Sequence, residues 1–142
     1  MPNVVVPYVR RKWAVPFHES LRRWMVLVLH RRAGKTTAII NHQQRAATDD
    51  GWEAARMKSL LPSLTEKDLE KLLHDRMYGI VYPTYKQAKL VAWEMLKYYS
   101  RSVPFMKANE SELSIRYPNN CKLQLFGSED PDALRGAAFW GL

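Results

Sequence analysis

Gly34, Lys35 and Thr36 stand in succession, with Arg31 and Arg32 just ahead of them. Residues 29–36 read Leu-His-Arg-Arg-Ala-Gly-Lys-Thr, which meets every defined position of the phosphate-loop pattern G-x-x-x-x-G-K-[ST] except the first, where Leu29 replaces glycine. The chemistry of such a segment is anion capture. A glycine lets the backbone turn so that consecutive N–H groups and the start of a helix face phosphate oxygens, a lysine adds a point charge, and a threonine hydroxyl can join the shell of Mg²⁺. The expected contact set is His30, Arg31, Arg32, Ala33, Gly34, Lys35, Thr36 and Thr37, with Lys35 on the outer phosphates and Thr36 on the metal.

A loop of this kind works only between a strand and a helix. Residues 24–29 (WMVLVL) form a short, continuous apolar run that predicts a strand buried on both faces of a parallel sheet. From Thr36 the order of apolar Ala38, Ile39, Ile40 and polar Asn41, His42, Gln43 predicts a helix of about three turns. Residues 48–76 are charged and predict a helical surface insertion, with Thr65 and Asp68 as a capping box and Leu69, Leu72 and Leu73 as an apolar stripe. Residues 78–82 (YGIVY) predict a second strand, and Thr84 is placed to cap a helix reaching about Tyr99. Residues 113–117 and 122–126 predict a hairpin around Pro118, Asn119 and Asn120. After an acidic loop at 127–132, residues 133–142 turn apolar, as at the start of another strand. Strands alternating with helices predict an α/β fold with a mostly parallel sheet flanked by helices.

The charge agrees with an anionic partner. Residues 1–45 carry nine Lys or Arg against one acid, Glu19, and so account for the whole net charge of +8. Residues 1–12 read as an extended arm ending in a basic cluster, with Pro2 and Pro7 flanking its apolar part. A single cysteine, Cys121, excludes an internal disulfide, the absence of a leader pattern predicts a cytoplasmic protein, and no apolar run approaches the roughly 20 residues of a membrane span. Cys121, His42 and His74 lack metal-ligand spacing. Tyr82, Tyr85, Trp93, Tyr98 and Tyr99, interleaved with Lys86, Lys89 and Lys97, could touch DNA, but their helical spacing fits a half-buried amphipathic helix better.

The run RWMVLVLHRRAGKTT resembles the modified Walker A segment of tailed-phage terminase large subunits, which often lacks the first glycine and carries an arginine within the loop. Three further stretches, VPFHES, PTYKQAKLVAWEML and PDALRGAAFWG, resemble the same family in the same order. The resemblance covers most of the chain outside 48–76. It implies an ASCE-type P-loop NTPase domain spanning 1–142. The implied activity is that of a motor coupling ATP hydrolysis to translocation of double-stranded DNA into a capsid, with ATP and Mg²⁺ as cofactors. The implied partners are DNA, further large subunits in a homo-oligomeric ring, a small terminase subunit and a portal protein, in the host cytoplasm during phage assembly. In the family a nuclease domain follows. Residues 1–18 would supply the adenine side through Trp13, Phe17 and His18, since no glutamine is present there. Arg135 falls where some terminases hold an arginine that reaches a neighbour's nucleotide, a group that can be worth orders of magnitude in rate.

Hydrolysis in this class also needs an Asp holding Mg²⁺ and a Glu activating water, at the end of a further strand. The resemblance puts that Walker B strand after Leu142, so the fold is expected to be incomplete at its C-terminal end, with nucleotide binding but little turnover. Asp130 and Asp132 are poor substitutes, lying in a Pro-containing loop with no apolar strand expected to lead into them. Two other readings remain: a different nucleic-acid-dependent P-loop ATPase such as a helicase, and a non-catalytic nucleotide- or nucleic-acid-binding module of prophage origin.

Overall fold

The computed structural model describes residues 5–141. Its elements are α1 (Ala14–Glu19), α2 (Lys35–Thr48), α3 (Asp50–Leu60), α4 (Glu66–Leu73), β1 (Met77–Tyr82), α5 (Tyr85–Gln87), a π-helical stretch (Ala88–Trp93), α6 (Glu94–Ser100), β2 (Lys107–Asn109), β3 (Ser114–Arg116), β4 (Lys122–Gly127) and α7 (Pro131–Arg135).

The fold is α/β, a four-stranded sheet flanked by helices, in the order β1-β4-β3-β2. The sheet is mixed rather than mostly parallel. Only β1 and β4 run parallel, in the register Met77↔Lys122 to Tyr82↔Gly127, while β4–β3 and β3–β2 are antiparallel. The expected hairpin accounts for one antiparallel pair. It closes through Tyr117 N–H to the Cys121 carbonyl at 2.9 Å, with Asn120 at φ 65°, a conformation asparagine tolerates better than most residues. β2, which sequence did not suggest, adds the other.

The largest departure concerns residues 24–29. They are extended but pair with no strand among the described residues, and Trp24, Val26 and Val28 are 80%, 88% and 90% exposed. Met25, Leu27 and Leu29 are half-buried, so the run has one covered face and one open one. Apolarity made these residues strand-competent; a ladder also needs a neighbour within hydrogen-bonding distance, and none is there. On the free edge of β1, opposite β4, a pairing has begun. Trp140 N–H donates to the Met77 carbonyl and Gly79 N–H to the Gly141 carbonyl, both at 2.8 Å, with a parallel bridge between Tyr78 and Gly141. This agrees with a strand starting near the end of residues 133–142, of which Leu142 lies outside the described residues, as do Met1 to Val4 of the N-terminal arm.

Helix α2 packs on β1 and β4, and the α5 to α6 helical run covers β4. Between them lies the core of Ile40, Tyr78, Ile80, Trp93, Leu96, Ile115, Leu123 and Leu125, each aliphatic member contributing about 1.5–3 kcal/mol by burial. Thr84 caps the run as predicted, its hydroxyl accepting from Gln87 N–H at 3.1 Å. Trp93 is fully buried and Tyr98 half-exposed, as an amphipathic helix requires. Residues 48–76 are helical, and Thr65 with Asp68 forms the capping box. This segment also buries polar groups. Glu53 grips Arg56 through three hydrogen bonds of 2.5–3.2 Å, and the buried Arg76 donates to Asp50 at 2.6 Å and to Cys121 Sγ at 3.3 Å. Burial pushes the Cys121 thiol up, so it remains protonated.

Candidate phosphate-binding loop

Helix α2 begins at Lys35, directly after Gly34 at φ 84°. That left-handed conformation disfavours a side chain, and a Cβ there would also come within 3.2 Å of the Arg11 guanidinium. Arg32 shares the left-handed region at φ 66°, at a cost of about 1–2 kcal/mol for a residue with a Cβ. Two left-handed residues two apart turn the chain sharply into the helix. The N–H groups of a helix's first turn have no partner within the helix, and among the described residues no side chain caps α2 to satisfy them.

Lys35 reaches back over the loop, its Nζ donating to the Leu29 and His30 carbonyls, each at 2.9 Å. His30 Nδ1 donates to the Arg31 carbonyl at 2.6 Å, which requires the proton on Nδ1. Arg31 and Arg32 are exposed, Ala33 is buried, and Gly34, Thr36 and Thr37 are half-buried. Thr37 Oγ1 lies 3.6 Å from Met95 Sδ. Burial raises the Tyr82 phenol at the end of β1, and the nearby Thr36 side chain opposes the rise. Residues 30–37 thus form a turn leading into α2, entered from an extended segment rather than a sheet strand.

A cleft of about 290 Å³ opens beside Gly34 and Thr37, lined also by Tyr8, Val9, Arg11, Trp13 and Tyr99. Of the three residues expected on the adenine side, only Trp13 lines it. Phe17 and His18 belong to an aromatic cluster with His42 and Trp52, in which Phe17 and His42 ring centroids are 4.4 Å apart and His42 meets Trp52 edge-on at 5.4 Å. Apolar and imidazole side chains one helical turn along from Trp13 serve to seat α1 on α2. Tyr8, Arg11 and Tyr99 were missed, although the basic cluster at 10–12 was visible in the sequence; Tyr99 is brought in by α6, which local pattern could not reveal.

His18 and His42 are held neutral. Tyr8 Oη and His18 Nε2 are 2.8 Å apart, and the two Nδ1 atoms are 3.3 Å apart, so one ring must donate and the other accept. Burial, with Arg10 and Arg45 nearby, lowers His18 to about 4. Burial, with His18, Arg45, Arg56 and Arg10 nearby, lowers His42 to about 3. Unfolded histidine titrates near 6.5. Below that pH the unfolded chain binds more protons than the folded one, so the stability these rings contribute is complete above about pH 6.5 and declines as pH falls toward 4 and then 3. Each histidine should cost up to about 1.4 kcal/mol per pH unit in that window. Urea midpoints should therefore drop on acidification, and less steeply in His42→Gln than in wild type; parallel profiles would contradict this origin.

Among the described residues no carboxylate lines the cleft, and no group of three His, Cys, Asp or Glu could hold a metal ion. The C-terminal acids differ from expectation in one respect. A buried strand, β4, does lead into them, with Leu123, Leu125 and Phe126 in the core. Each acid is engaged locally: Glu129 accepts from Tyr85 N–H at 2.8 Å, Asp130 caps α7 at 3.3 Å from Ala133 N–H, and Asp132 pairs with Arg135 at 3.0 Å. The Arg135 side chain is 79% exposed. No helix among the described residues is long and apolar enough to cross a membrane.

Comparison with protein-family models, with curated proteins and with solved structures finds no match to this chain.

Proposed function

We infer that residues 30–37 are the phosphate-binding loop of an ASCE-type P-loop NTPase, and that the chain is the ATP-binding part of a terminase-like motor that moves double-stranded DNA into a capsid. The observation that carries the nucleotide reading is the conjunction at Gly34: a left-handed glycine, an uncapped 14-residue helix beginning at Lys35, and the Lys35 ammonium on the loop's own carbonyls. These groups fit a polyphosphate. Lys35 would exchange two carbonyls for phosphate oxygens, the free N–H groups would take the rest, and the cleft beside Thr37 would receive the nucleoside. Thr36 would contribute its hydroxyl to Mg²⁺, whose role is to neutralise charge on the bound phosphates.

The DNA-packaging part rests on the resemblance and on the basic N-terminal third. In that reading Arg135, exposed at the surface beside Asp132, would serve a neighbouring subunit of a homo-oligomeric ring, with the small terminase subunit and portal as further partners. A purely nucleotide-binding role is favoured by one observation, the lack of any carboxylate in the cleft lining among the described residues.

Calorimetric titration with Mg²⁺-ATP, with phosphate release measured in the same samples, tests the proposal. Binding with little turnover is the expected result. A folded chain that binds no nucleotide would reject it, and brisk hydrolysis would show that acids already present complete the site.

A further inference from the structure

A loop can turn its N–H groups toward an anion only if its carbonyls are turned away and satisfied elsewhere. Here the two carbonyls that follow left-handed Arg32, its own and that of Ala33, are taken by a different part of the chain. Trp13 Nε1 donates to the Ala33 carbonyl at 3.0 Å, and Arg11 Nη1 to the Arg32 carbonyl at 3.3 Å. The Trp13 tie is the firmer one. It is shorter and half-buried, and it springs from the first residue before α1, whose Ala14 is buried and whose His18 carbonyl accepts from Arg45 of α2 at 3.2 Å. Both ends of the tie are therefore fixed to α2. The Arg11 bond is exposed and longer.

We propose that Trp13 is a positioning residue for the phosphate loop: its indole N–H locks the Ala33–Gly34 peptide so that the Gly34 N–H and those of the first turn of α2 remain presented to an anion before any ligand arrives, while the Ala33 N–H stays on the His30 carbonyl at 3.3 Å. The peptide it holds joins Ala33 to left-handed Gly34, one residue after left-handed Arg32, where the backbone conformation is sparsely populated and needs support. Arg11 is the auxiliary tie. This inference rests on the phosphate-loop reading above and extends it from the loop to the segment that holds it.

The test is Trp13→Phe, which keeps an aromatic ring in place and removes only the donor. Binding of Mg²⁺-tripolyphosphate, which has no base to fill the cleft, is measured well below the unfolding midpoints of both proteins. Affinity should fall about fivefold to tenfold, the effect of one hydrogen bond, with the midpoint of the ligand-free protein little changed. A merely structural Trp13 would lower the midpoint and leave the affinity of the folded protein alone. Wild-type affinity in Trp13→Phe overturns the inference while the loop reading stands. Failure of folded wild type to bind either tripolyphosphate or Mg²⁺-ATP overturns both.

Discussion

Lys35→Ala should reduce Mg²⁺-ATP affinity by at least about 100-fold while leaving the chain folded. Charge-assisted hydrogen bonds to a ligand contribute about 1.5–3 kcal/mol each, and loss of two such bonds exceeds the 2.7 kcal/mol or so that a 100-fold change represents. The fold should tolerate the change because Lys35 spends its ammonium on two carbonyls, Leu29 and His30, at the surface of the loop, where water can replace it. Thermal unfolding makes the distinction. Wild type should gain several degrees with saturating nucleotide, since a ligand bound only by the folded state stabilises it in proportion to the logarithm of its saturation. Lys35→Ala should melt near the ligand-free wild type and gain nothing. A variant that still gains the full shift would place the nucleotide elsewhere.

Gly127→Ala should be the most damaging single-atom addition in the sheet. Gly127 ends β4 where the chain crosses from β1 into α5, and a methyl there would lie 2.9 Å from the Thr84 carbonyl carbon and 3.0 Å from Tyr85 Cα. These are backbone atoms, fixed by the Thr84 cap, by Ser128 N–H on the Tyr82 carbonyl at 2.7 Å and by Glu129 on Tyr85 N–H. The β1–β4 register must therefore open, at about 2–4 kcal/mol, as expected of strong overpacking. Gly136→Ala is the control, since nothing lies within 4 Å of a Cβ there; it should change stability by no more than about 0.5 kcal/mol. Equal urea midpoints for the two variants would contradict the crossing geometry.

The parts of the fold that were readable in the sequence are those whose cause is local. Gly34 followed by a helical pattern predicted α2, Thr84 and the Thr65/Asp68 pair predicted their caps, and the turn residues Pro118, Asn119 and Asn120 between two strand patterns predicted the hairpin. Each rests on contacts within a few residues. What was not readable depends on distant partners. Residues 24–29 are as apolar as β1, yet only β1 finds a ladder, because β4 lies beside it. Of the two antiparallel pairs that make the sheet mixed, β3–β4 is the expected hairpin, whereas β2–β3 depends on a three-residue strand, Lys107–Asn109, that no local pattern marks. The buried Arg76 looked like one more charge at the end of an insertion; its partners Asp50 and Cys121 are 26 and 45 residues away.

The site divides in the same way. The loop itself was legible because its chemistry is written in consecutive residues. Its supports were not: Arg11 and Trp13 meet it across about twenty residues, and Tyr99 joins the cleft from α6. Phe17 and His18, named for the cleft by analogy with the resembled family, are drawn instead into the His42 and Trp52 cluster, where they fix α1 so that Trp13 can hold the loop.

The most direct test of the central claim is a backbone-amide NMR titration of the wild-type chain with Mg²⁺-ATP. Saturable shifts are expected at Ala33, Gly34, Lys35 and Thr36, with the Trp13 indole N–H also moving. Unshifted signals at those residues, or shifts confined to another surface, would contradict it.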